Sequence, residues 1–184
     1  MNRALSELPL SEPRVNVENS VPDRFREDEL RLAARVDVPV LITAGDSDRR
    51  DIYARLIHAT GESVGGPFVK FCKNGRPRAH VEGSEPAASS DACDHVLLRQ
   101  LFEHARGGTL FVDDITTLTA EAQQQLLSLL EERRASPSST VQLFRRHVRV
   151  IAGSSRHLGC DWAAGEFNEQ LFYRLNIIHF VLMH

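Results

Sequence analysis

The chain alternates short apolar runs with amphipathic stretches of helical period, and that alternation restricts its fold more than any other feature. VPVLIT (38–43), PFVKFC (67–72), GGTLFVDDI (107–115), VRVIAGSS (148–155) and NIIHFVLM (176–183) have the length and character of strands. A run that is apolar throughout, rather than at every second residue, is what a strand buried on both faces requires. Helices are expected between them. RFREDELRLAARV (24–36) can be capped by Asp23, with its acids near the start and Arg31 and Arg35 near the end, which suits the helix dipole. IYARLIHAT (52–60) is closed by GESVGG, and CDHVLLRQLFEHA (93–105) places Val96, Leu97, Leu101 and Ala105 on one face. TAEAQQQLLSLLEERRA (119–135) is capped by Thr119 and carries a buried stripe of Ala122, Leu126, Leu129 and Leu130; WAAGEFNEQLFYRL (162–175) reads as one further helix.

Strands alternating with helices imply an α/β fold: a parallel sheet with helices on both faces. Ligands of such sheets bind beyond the carboxyl ends of the strands. The segments there are 44–51, 113–116 and 153–156. Residues 1–22 read as an N-terminal arm and 23–184 as a single domain, a division that 184 residues allow. Residues 73–92 read as a long polar loop and 136–147 as a loop or hairpin.

Composition narrows the function classes. A net charge of −3 gives no bulk attraction to nucleic acid, and RHVR (146–149) is too short for a basic patch. No apolar run is long enough to span a bilayer, and the N-terminus has no signal-like apolar core, so a cytoplasmic location is expected. Cys72, Cys93 and Cys160 are odd in number and far apart, as expected of reduced thiols. His157 and Cys160 lie near one another, but no second ligand pair matches them, so a metal site is not expected there.

The first strand end carries AGDSDRRD (44–51), where a phosphate-binding loop would lie between strand and helix. Such a loop uses glycines for close backbone approach and a lysine for charge. This one has a single glycine, no lysine, and the pair Arg49–Arg50. Asp113 and Asp114 end the third apolar run, where acids can hold Mg²⁺ or place an attacking water.

GGTLFVDDI, LTAEAQQQLLSLLEE, VRVIAGSSRHL and FNEQLFYRLNII follow one another in an order and spacing that resemble the central AAA+ domain of bacterial enhancer-binding proteins, the activators of sigma-54 RNA polymerase. IYARLIH and GPFVKF resemble the same family, and the likeness covers roughly residues 25–182. The resemblance implies a P-loop NTPase-like sandwich, ring assembly, and ATP with Mg²⁺ at a subunit interface. Carried over residue by residue, it places Gly45, Asp46, Ser47, Arg50 and Asp51 in the phosphate loop, whose family pattern is Gly-Glu-Ser-Gly-Thr-Gly-Lys-Glu. Arg50 falls where the lysine belongs, and two glycines have no counterpart. Asp113 would hold Mg²⁺ if nucleotide binds, and Asp114 replaces a glutamate one methylene longer. Ser155 stands for the sensor asparagine in a segment where Ala-Thr-Asn-Arg has become Gly153-Ser154-Ser155-Arg156. Of two arginines that the family presents to a neighbouring subunit, the first corresponds to Asn168 and the second to Arg174. Residues 73–92 contain nothing like the Gly-Ala-Phe-Thr-Gly-Ala loop that touches sigma-54, and the family's helical lid is expected to have no counterpart in this chain.

These departures fall together on the phosphate loop, sensor, finger, partner loop and lid, while the apolar core is retained. The expectation is a degenerate AAA+ module, a pseudo-ATPase that regulates transcription by protein–protein contact. Its partner would be a full-length AAA+ activator or a second copy, with direct sigma-54 contact not expected and no cofactor required. The alternative is a weak ATPase, or a phosphate or nucleotide sensor, using the remnant loop with Asp113 and Asp114.

Overall fold

The structure, a computed structural model, describes residues 23–73, 79–81, 93–135 and 147–182. The strands are β1 (Val40–Thr43), β2 (Phe68–Cys72), β3 (Ala79–Val81), β4 (Thr109–Asp113), β5 (Arg149–Ser154) and β6 (Ile178–Val181). They form one sheet in the order β3-β2-β4-β5-β1-β6. All neighbours are parallel except β3, which pairs antiparallel with β2 at the edge. The expected polar loop 73–92 therefore holds a short edge strand. The remainder of that loop, the arm 1–22 and the expected hairpin 136–147 lie outside the described residues apart from Lys73 and His147.

The helices are α1 (Asp23–Arg35), α2 (Ser47–Thr60), α3 (Asp94–His104), α4 (Ala120–Ala135), α5 (Leu158–Ala163) and α6 (Glu169–Leu175). Side chains of successive strand residues point to opposite faces, and the core divides accordingly. Val40, Ile42, Phe68, Phe111, Ile151 and Phe180 pack beneath Leu30, Ala33 and Ala34 of α1 and Ala54 and Ile57 of α2. Leu41, Val69, Phe71, Leu110, Val112, Val150 and Ala152 pack on the other face, against α3, α4, α5 and α6. The expected parallel α/β sandwich with helices on both faces is what the chain adopts.

In α4 the stripe Ala122, Leu126, Leu129 and Leu130 is buried, joined by Leu127, and the Thr119 hydroxyl caps the Ala122 N–H at 3.3 Å. Two expectations need correction. Val96 is 44% exposed, and Leu98 takes its place on the buried face of α3, because the stripe follows 97, 98 and 101. The single helix expected over 162–175 is two: Gly165 adopts φ +74, and Asn168 then starts α6 by accepting the Leu171 N–H at 2.9 Å.

Beneath α2, the sheet face holds a polar cluster at its N-terminal edge. Arg149, almost wholly buried, donates to the Ala34 and Ala33 carbonyls at 2.6 Å each and so fastens the end of α1 to β5. His58 lies close by, bonded through Nδ1 to the Thr109 hydroxyl at 2.9 Å. Burial, with the charges of Arg149 and Arg55, pushes the His58 imidazole below its ordinary value of 6.5. A histidine held neutral in the fold and free to protonate when unfolded stabilises fully above pH 6.5; that contribution is lost as pH falls through 6.5 toward the lowered folded value. Chemical denaturation of the wild-type chain and of His58→Gln between pH 5 and 7.5 should show the wild type losing more stability on the acid side. Parallel curves would remove His58 from the account.

Candidate functional site

The carboxyl ends of β1, β4 and β5 meet beneath the start of α2. Parity decides which side chains gather there. Asp113 shares a face with Phe111, Gly153 with Ile151, and Lys70 with Phe68, so all three point toward α2. The registers Cys72↔Asp113 and Ile42↔Gly153 bring them to one level of the sheet.

The segment expected as a phosphate loop is mostly helix. β1 ends at Thr43 and α2 begins at Ser47, five residues before the helix expected over 52–60. Asp46 explains this start. Its backbone is extended and its carboxylate accepts the Asp48 N–H at 2.9 Å, a standard N-cap that lets Ser47, Asp48, Arg49 and Arg50 enter the first helical turn. A carboxylate thus occupies the helix N-terminus, where the dipole and free N–H groups would favour an anion, and Asp48 adds a second negative charge. Gly45 is exposed, and a Cβ there would meet nothing within 4 Å, so close approach does not require a glycine at that position.

Arg50 turns inward from α2 and is buried. Its Nε donates to Asp113 Oδ1 at 2.7 Å and its Nη1 donates to the Ala44 carbonyl at 2.5 Å. The Ser47 hydroxyl donates to the other Asp113 oxygen, Oδ2, at 2.8 Å. Lys70 Nζ lies 3.5 Å from that same Oδ2 and donates to Asp51 Oδ1 at 2.9 Å, while Arg55 Nε donates to Asp51 Oδ2 at 2.6 Å. One chain of ion pairs therefore runs Arg55–Asp51–Lys70–Asp113–Arg50. Burial acts to raise the Asp51 carboxyl, but hydrogen bonds from Arg55 and Lys70, with their charges, outweigh it and hold the group below its ordinary range.

Asp114 belongs to a second small network. It follows β4 in a left-handed conformation, φ 50, and its Oδ1 accepts from the hydroxyls of Ser155 and Thr116, each at 2.9 Å. The acid and the sensor-position residue predicted separately from sequence are thus joined directly. Arg156, next in line, binds Asp161 at the start of α5. Arg174 lies apart from these groups, on α6, with Nη2 3.5 Å from Glu131 of α4. Asn168, at the other expected arginine position, is the cap of α6 described above. Among the described residues no group of three metal-ligating side chains occurs, His157 and Cys160 included.

Two residues of the site escaped the sequence reading. Lys70 is one; a lysine in the middle of PFVKFC, in phase with Phe68, had to find a buried partner, and that was the available signal. Lys73 is the other: its Nζ donates to the Thr117 carbonyl at 2.7 Å and lies 3.4 Å from the buried Asp94, tying the ends of β2 and α3 to the turn after β4.

Known proteins resemble this arrangement. The sequence matches the Sigma-54 interaction domain over residues 19–181. It is 33% identical over 159 residues to the transcriptional regulatory protein GlrR of Escherichia coli (strain K12), covering 82% of this chain and 34% of that protein. It is 33% identical over 162 residues to the C4-dicarboxylate transport transcriptional regulatory protein DctD of Rhizobium meliloti, covering 86% of this chain and 35% of the relative. The chain spans about a third of the length of these relatives. Among solved structures, NtrX from Brucella abortus in complex with ADP superposes with a TM-score of 0.64 at 20% identity, over 92% of this chain and 38% of that one. The P-loop NTPase domain of the sigma-54 transport activator from E. coli gives 0.60 at 18% identity, over 88% of this chain and 94% of that one. The extent of the sequence match and the shared P-loop NTPase fold establish that this chain belongs to the sigma-54 interaction domain family, related to sigma-54-dependent transcriptional regulators.

Proposed function

We propose that this domain regulates transcription through contact with another protein, with little or no hydrolysis of ATP. The observation that carries the reading is Asp113. Both of its oxygens are engaged by the chain's own Arg50, Ser47 and Lys70. In this family's chemistry that carboxylate faces Mg²⁺, and a metal-bound nucleotide neutralises it; here guanidinium, hydroxyl and ammonium do so instead. The residues present do not fit ATP with Mg²⁺. The helix start that would receive phosphate is capped by Asp46, and the cation at the lysine position is a planar fork bound to a carboxylate rather than a compact, mobile ammonium. Asp114 is held back on Ser155 and Thr116 in place of reaching toward a water.

The surface that supports the partner reading is the α6 edge. Tyr173 and Ile177 are about half exposed there beside Arg174, and aromatic and arginine side chains of this kind carry much of the energy of protein contacts. The partner is a nucleotide-competent relative of the same domain family, whose ring this chain would join without contributing a working site; a head-to-tail contact of that sort can end an assembly.

Phosphate release tests the reading. The purified chain with millimolar Mg²⁺–ATP should release none above the blank, and, added to a ring-forming sigma-54 activator from the same cell, should lower that activator's turnover at substoichiometric ratios. Phosphate release by the chain itself that vanishes in Asp114→Ala would replace this reading with that of a reduced ATPase. An activator whose turnover and size distribution ignore the chain would remove the proposed partner.

A further inference from the structure

We propose that Lys70 is a built-in substitute for a divalent cation, its ammonium held between Asp113 and Asp51 where a hydrated metal would otherwise bridge these two carboxylates. This deepens the reading above of the same site. Oxygens from two elements, α2 and the end of β4, gather here. Asp51 Oδ1 is 2.9 Å from Lys70 Nζ and Asp113 Oδ2 is 3.5 Å from it, and the Ser47 hydroxyl lies 2.8 Å from that same Asp113 oxygen. Two carboxylates and a hydroxyl, from α2 and the end of β4, are the kind of oxygen set that a small hard cation takes, with water completing the shell. Here the positive charge comes along β2 instead.

Three features fit the lysine to this role. Parity on β2 fixes its direction, because Lys70 must share the α2 face with Phe68. The side chain crosses an aromatic face, with Nζ 5.4 Å from the centre of the Phe111 ring, a contact that a compact ammonium can use while it stays bound to carboxylates. The charge count leaves no room for a further cation. Arg55, Lys70 and Arg50 alternate with Asp51 and Asp113 along the chain of ion pairs, leaving one net positive charge. A dication brought into that place would stand beside three cations. It can enter only if Lys70 leaves.

The test is a nucleotide-free titration of the full chain with Mn²⁺, read by the electron paramagnetic resonance of the free ion and by thermal unfolding. In the wild type the free-ion signal should fall no faster than in buffer, and the melting temperature should not move. Lys70→Ala should melt lower, bind about one Mn²⁺ per chain, and gain about 3–6 °C at metal concentrations tenfold above its dissociation constant. Lys70→Ala combined with Asp51→Asn should neither bind nor gain. Folded Lys70→Ala that ignores Mn²⁺ would overturn the inference, as would a wild-type chain that binds Mn²⁺ and loses it in Asp51→Asn. If Lys70→Ala does not fold without metal, recovery on adding Mn²⁺ supports the inference, and failure in both conditions, repeated with Lys70→Gln, overturns it. Phosphate release reports on turnover and this titration reports on the lysine, so the two readings fail separately.

Discussion

Replacing Asp113 by alanine should lower the stability of the domain by about 3–5 kcal/mol, a fall of roughly 6–20 °C in melting temperature for a chain of this size. The carboxylate side chain is 1% exposed and the Arg50 side chain 4% exposed. Removing the acid leaves a guanidinium buried with only the Ala44 and Gly45 carbonyls as acceptors, and the Ser47 hydroxyl without its acceptor. An unpaired buried charge is far costlier than a missing ion pair. The double replacement Arg50→Met with Asp113→Leu should therefore recover much of the loss, since it removes both charges and leaves neither buried without the other. In a site built to receive a metal, the acid faces a ligand and its removal relieves a negative charge, so stability would hold or rise. Urea denaturation of the three proteins separates the cases. A loss below about 1 kcal/mol in Asp113→Ala would show that the pair is not the structural element described here.

The parts of this site differ in how far the sequence revealed them, and the reasons are physical. The strands were legible because an apolar run flanked by helical periodicity leaves few alternatives, and Asp113 was legible because it ends such a run. The fate of Arg50 was not. The sequence places it where the family's lysine stands, but its inward turn onto Asp113 depends on β4 lying beside β5 and β5 beside β1, a relation set by sheet order. The early start of α2 could have been read. An aspartate followed by Ser-Asp-Arg-Arg is a good helix cap once the glycines that force a loop are gone. Asn168 carries the same lesson: the resemblance sets it at the position of an arginine, but an asparagine three residues before a leucine whose N–H needs a partner is a helix cap. Arg174 has an intramolecular partner in Glu131, a pairing between α6 and α4 that depends on the packing of two helices and is invisible in the sequence.

Gly153→Ala should destabilise the domain by about 1–3 kcal/mol, and Arg50→Lys should relieve much of that loss. Alanine inside a strand is otherwise favoured over glycine by about 0.5–1 kcal/mol, so the sign alone is informative. A Cβ on Gly153 would stand 3.0 Å from Asp113 Oδ1, 3.1 Å from Arg50 Cδ and 3.2 Å from Arg50 Nε, closer than such contacts ordinarily come. None of the three can give way easily. Nε is bound to Asp113, Nη1 to the Ala44 carbonyl, and Asp113 to Ser47. The family motif that matches this strand end has alanine at the position of Gly153 and lysine at that of Arg50, so the smaller residue on β5 and the larger one on α2 read as one change. A lysine has no Nε–H to hold its chain against the sheet, and it can move aside from the new methyl. The double-mutant cycle should give a coupling of about 1 kcal/mol or more between positions 50 and 153. Simple additivity would mean that Gly153 is there for another reason, and that the room it leaves for the guanidinium is incidental to the way this site has closed on itself.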